Sequence, residues 1–140
     1  MFYEVKTVQE NVPQANGKLK TQKCLFLVEQ ELFGQAELAA LRLSGNADVV
    51  AVKRAKVDEV LPIPADTTDM SWYKATVVRI YTNDKGEATK ESKWYMVGMA
   101  KTTDDATKLF VDYMRQGLDD FRLDKVERMK YDDVELTSAI

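Results

Sequence analysis

The chain has 140 residues, 45% hydrophobic and 31% charged, enough for a compact domain with a real core and an ordinary solvated surface. A net charge of −3 and a pI near 5.1 exclude a global basic field, so any nucleic-acid binding needs a local patch. Without histidine and with one cysteine, Cys24, the common zinc and haem sites, histidine-based triads and an internal disulfide are excluded.

The chain opens on FYEVKTVQE, a run of β-branched and aromatic residues that predicts a strand. The charges in MFYEVKTVQE stand where a signal peptide needs an apolar stretch. No apolar run approaches the roughly 18 residues of a transmembrane helix, so a cytoplasmic protein without membrane contact is expected. A turn follows at ANGK, where Asn16-Gly17 is a good hairpin signal, and then a second strand, KTQKCLFLVE. Cys24 lies within it and reads as a core thiol. FGQAELAALRLSG predicts a helix whose apolar face holds Leu38, Leu41 and the neighbouring alanines, with Gly45 as its stop. VVAVKRAKVDEVLPI reads as a third strand, and PIPADTTDMS as a proline-bearing polar link.

The same order then recurs. WYKATVVRIY predicts a strand, DKGE around Gly86 a turn, and KESKWYMVGM a second strand. TTDDATKLFVDYMRQG predicts a helix capped by Thr102 or Thr103, with Asp104 and Asp105 in its first turn and Arg115 at its other end. Ala106, Leu109, Phe110, Tyr113 and Met114 follow helical spacing, and Gly117 closes the element. FRLDKVERMKYDDVEL is the third strand of this copy. The heptapeptides RAKVDEV at 54–60 and RMKYDDV at 128–134 end the two copies. The pattern predicts an α+β domain made by internal duplication of a β-β-α-β unit, with pseudo-two-fold symmetry, six largely antiparallel strands and two helices. Repeat one spans 1–63, a linker 64–70, repeat two 71–136, and a C-terminal tail 137–140.

This doubled layout, with an aromatic pair opening each copy and KVDEV or KYDDV ending it, resembles a family of short uncharacterised proteins of Bacteroidetes and their phages. That family, a domain of unknown function, includes members from crAss-like gut phages. The resemblance implies a fold layout and a phage or bacterial setting. For phage members among replication genes, it implies single-stranded-DNA binding. It carries over no site residues.

No phosphate loop, nucleophile elbow or other catalytic motif is present, and the reading is of a non-enzymatic protein without cofactor or metal. The pairs Asp58-Glu59 and Asp132-Asp133 read as solvated strand ends, because adjacent strand residues point to opposite faces.

Binding residues are more evident. Period-two alternation sets Phe2, Glu4 and Lys6 on one face, and Trp72, Lys74 and Thr76 on the corresponding one. Lys23 shares a face with Thr21, Leu25 and Leu27, as Lys90 does with Ser92, Trp94 and Met96. Arg54 and Lys56 recur as Arg128 and Lys130. Rings beside cations suit a sheet that grips single-stranded DNA or RNA, with Trp72 and Trp94 stacking on bases and the lysines and arginines meeting phosphates. The alternative is a protein-interaction adaptor or a homodimer, since LFLV and WYMV make a sheet apolar on both faces.

Overall fold

Alternating β-branched and aromatic residues form two long hairpins, each followed by a helix and a further strand, in a computed structural model that describes residues 1–45, 47–117 and 120–136. The elements in order are β1 (Phe2–Pro13), β2 (Leu19–Glu29), α1 (Phe33–Ser44), β3 (Asp48–Arg54), β4 (Glu59–Val60), β5 (Ser71–Thr82), β6 (Ala88–Ala100), α2 (Thr103–Arg115), β7 (Asp120–Met129) and β8 (Asp133–Glu135). The fold is α+β, but its described strands number eight, in two four-stranded sheets, rather than six. The expected tail at 137–140 lies outside the described residues. No helix among the described residues is long and apolar enough to cross a membrane.

The extra strands come from the repeated heptapeptides. Each predicted third strand is broken in two, and its parts belong to different sheets. The described residues accordingly divide into one compact unit of Met1–Lys56 with residues 131–136, and another of Val57–Lys130.

In the first unit the order is β3-β1-β2-β8, antiparallel except that β8 runs parallel to β2. Asn16 Oδ1 accepts from Lys18 N–H (3.0 Å) in the β1–β2 turn, and Gly17 takes the positive φ of 77° that the turn requires. Tyr3, Val5, Phe26 and Val28 pack on α1 through Ala36, Ala39 and Ala40. Those alanines at i, i+3 and i+4 form the buried stripe. Leu38, expected on that stripe, is 59% exposed, since its position falls on the opposite side of the helix. The predicted stop at Gly45 holds, its N–H donating to the Leu41 carbonyl.

In the second unit the order is β4-β6-β5-β7, again antiparallel except where β4 runs parallel to β6. Asn83 Oδ1 accepts from Lys85 and Glu87 N–H groups and shapes the β5–β6 turn. Thr102 Oγ1 caps α2 by accepting from Asp105 N–H (3.1 Å), with Asp104 and Asp105 in the first turn as the helix dipole favours. Phe110, Ala106 and Met114 seal the helix onto Tyr73, Ala75, Val77 and Met96.

One clasp attaches each added strand. Asp58 N–H donates to the Tyr95 carbonyl (2.8 Å), while Tyr95 N–H donates to Asp58 Oδ2 (2.7 Å). In the first unit, Asp132 N–H donates to the Leu25 carbonyl (2.8 Å) and Leu25 N–H to Asp132 Oδ2 (2.7 Å). The aspartates read as solvated strand ends are exposed, yet each accepts the amide N–H of the interior strand that its segment joins, Tyr95 of β6 or Leu25 of β2. Replacing Asp58 or Asp132 by alanine should each cost about 1 kcal/mol of stability in urea unfolding, with asparagine recovering part of it. Loss by neither variant would show that the clasps are incidental.

Candidate functional site

The sheet registers decide which of the expected binding residues lie together. Trp72 pairs with Met99 and Met129, whereas Trp94 pairs with Val77, an odd-numbered β5 position on the helix-packed face. The two tryptophans therefore stand on opposite faces of one sheet and make no common platform. Trp72 is 8% exposed, which leaves no open ring for a base. Lys74 is on the Trp72 face and lies over the Tyr95 ring at 5.1 Å. Lys6 and Lys23 are exposed on the face of the first sheet away from α1. Arg54 pairs with Tyr3 and Arg128 with Tyr73, both exposed at the edge strands, and Lys56 and Lys130 follow those strands, also exposed.

On the helix-side face of the second unit, the outer part of the β5–β6 hairpin carries two cation–ring pairs. The Arg79 guanidinium lies 4.4 Å from the Trp94 ring centre, and Lys90 Nζ 5.9 Å from that of Tyr81, which is 39% exposed. Arg79 and Tyr81 are two apart on β5, and Lys90 is the direct partner of Tyr81. Trp94 and Lys90 were legible as candidates from alternation; Arg79 and Tyr81 follow the same alternation on the adjoining strand but were not singled out.

Beside this strip is a cleft of about 270 Å³ lined by Glu59, Arg79, Tyr113, Met114, Gln116 and Gly117. Glu59 reaches it because the Asp58 clasp fixes β4 in register, with Glu59 opposite Met96. Its carboxylate accepts from Trp94 Nε1 (2.8 Å) and from the Tyr113 hydroxyl (2.7 Å). The Arg79 Nε is buried and has no hydrogen-bond partner among the described residues.

The first unit holds a cleft of the same volume, about 270 Å³, at the corresponding place. Thr7, Gln9, Gln22 and Cys24 supply its floor from β1 and β2, Leu43 and Ser44 bring the last turn of α1, and Asp132 and Asp133 come with β8. Asp133 sits opposite Phe26 as Glu59 sits opposite Met96. Burial first, and the Asp132 carboxylate second, push the Cys24 thiol above its ordinary pKa.

The fold and these clefts define a small α+β protein with paired, polar concavities. The chain belongs to the family described as domain of unknown function DUF4494, whose family model matches residues 1–136. No curated protein matches it.

The hydrogen bond to Glu59, then burial and the Glu59 charge, raise the Tyr113 phenol above its ordinary value, with Arg79 acting the other way. A phenol raised in the folded state favours folding fully below the ordinary value of about 10, and that contribution fades as pH climbs through the raised value. Glu59→Gln should bring the Tyr113 titration down, read from phenolate absorbance against Tyr113→Phe. An unmoved titration would remove Glu59 as the cause.

Proposed function

We propose that the protein is a non-enzymatic binder of single-stranded nucleic acid, using the helix-side face of the β5–β6 hairpin. The observation that carries this reading is the pairing of two rings with two cations on one face of one hairpin. Trp94 and Tyr81 belong to rows four residues apart, roughly 13 Å along the strands, a span that can accommodate successive bases of an extended chain. Tyr81 offers a ring for stacking, and the Arg79 guanidinium, backed by Trp94, offers a second flat surface. Arg79 and Lys90 set positive charge beside the two rings, which suits phosphates next to stacked bases. Of the residues expected from the sequence, Trp94 and Lys90 remain in this proposal, and Trp72 does not.

The matching strand orders and clasps support an origin of the two halves by internal duplication. The phage or bacterial replication setting implied by the resemblance, and a cytoplasmic location, belong to the same proposal.

Titration with single-stranded DNA should quench tryptophan fluorescence, and the quench should survive Trp72→Phe but not Trp94→Phe. Replacing Arg79 and Lys90 together by alanine should flatten the log–log salt slope by about 1.4, for two lost phosphate contacts on a single strand. No quench and no mobility shift at low salt would overturn the proposal and leave protein binding as the reading to pursue. Exposed apolar residues Leu32, Phe33 and Leu38 would be the first surface to test in that case.

A further inference from the structure

The first unit's cleft has a lining that the proposed nucleic-acid strip does not use. Two carboxylates, Asp132 and Asp133, stand at it, and among the described residues no lysine or arginine does. Thr7 is 1% exposed, and its Oγ1, buried at the cleft, has no hydrogen-bond partner among the described residues, although it lies close enough to Cys24 to ease the thiol's shift slightly. A buried hydroxyl without a partner costs stability unless something else bonds it. Gln9 and Gln22 add amide oxygens that accept. The last turn of α1, through Leu43 and Ser44, turns the negative end of the helix dipole toward the same space.

The second unit shows what such a cleft accommodates. Counting from the paired registers, Thr7 opposite Cys24 corresponds to Val77 opposite Trp94, so Gln9 occupies the position of Arg79. Asp133 correspondingly occupies that of Glu59. Where the second unit sets its own guanidinium among a carboxylate and a helix C-terminus, the first unit keeps the carboxylate and the helix end and has a neutral glutamine.

We propose that the first unit's cleft binds an organic cation, a guanidinium or primary ammonium group. Its several N–H donors match a lining rich in acceptors, and its charge answers Asp132 and Asp133. The group could arrive on a free amine or on an arginine side chain of a peptide. This site is separate from the hairpin strip, so it stands or falls independently of nucleic-acid binding.

The test is an NMR titration of the whole chain with agmatine and, separately, with a short arginine peptide and its citrulline counterpart. Shifts at Thr7, Gln9, Gln22 and Asp133 that saturate with agmatine would assign the site to free amines. The same shifts with the arginine peptide alone would assign it to a side chain. Asp133→Asn should weaken binding by about tenfold or more, as expected for losing a charged acceptor. Gln9→Arg should abolish binding by placing a guanidinium where Arg79 stands in the other unit, and it keeps the proposal testable if Asp133→Asn unfolds. No saturable shifts, equal response to the citrulline peptide, or affinity unchanged in Gln9→Arg would each overturn it.

Discussion

The constraint on which the site geometry depends is the two-way bond between an aspartate and the interior strand its segment joins: Asp58 with Tyr95 of β6, and Asp132 with Leu25 of β2. In each, the aspartate backbone N–H bonds the strand carbonyl while its carboxylate accepts the N–H of the same strand residue. A segment as short as β4, two residues, has little ladder of its own to hold it. The carboxylate clasp fixes its register before the ladder begins. A parallel strand slipped by one residue would turn its side chains to the other face, moving Glu59 away from Trp94 and Tyr113.

From that register the two clefts acquire their chemistry. The residue after the clasp, Glu59 or Asp133, is delivered to the helix-packed side of its sheet, where the end of α2 or α1 borders a concavity. In the second unit the carboxylate is occupied by an indole and a phenol, and a guanidinium lies on the indole. In the first, Cys24 and Leu43 stand in those places and offer the carboxylate no comparable donors. One backbone plan thus supports two electrostatic settings, one with its own cation and one without.

The same plan bears on how the sheets contribute to binding. The face carrying Trp72 also holds Val78 at 2% and Val97 at 0% exposure, so its apolar residues serve the interior rather than a ligand. On the helix-side face, Tyr73, Ala75, Val77 and Met96 pack with α2. Arg79 borders the end of α2 at the cleft, and Tyr81 and Lys90 continue the same alternation toward the β5–β6 turn. The hairpin exceeds the helix in reach because a strand rises about 3.3 Å per residue and a helix only 1.5 Å. Strands of 12 and 13 residues therefore outrun a helix of 13.

Local pattern alone determined the α+β class, the two hairpins with their glycine turns, both helices and their ends, and the repetition of RAKVDEV as RMKYDDV. Those features follow from short-range rules: alternation, capping at Thr102, and positive φ at Gly17 and Gly86. Only the tertiary structure decided that each heptapeptide leaves one sheet and joins the other, because a continuous β-prone run gives no sign of where its hydrogen-bond partner changes. It also decided that Trp72 and Trp94 face opposite ways. Alternation sorts residues within one strand, but which faces of two strands coincide is set by the register between them, and a register is a long-range pairing that no single strand encodes.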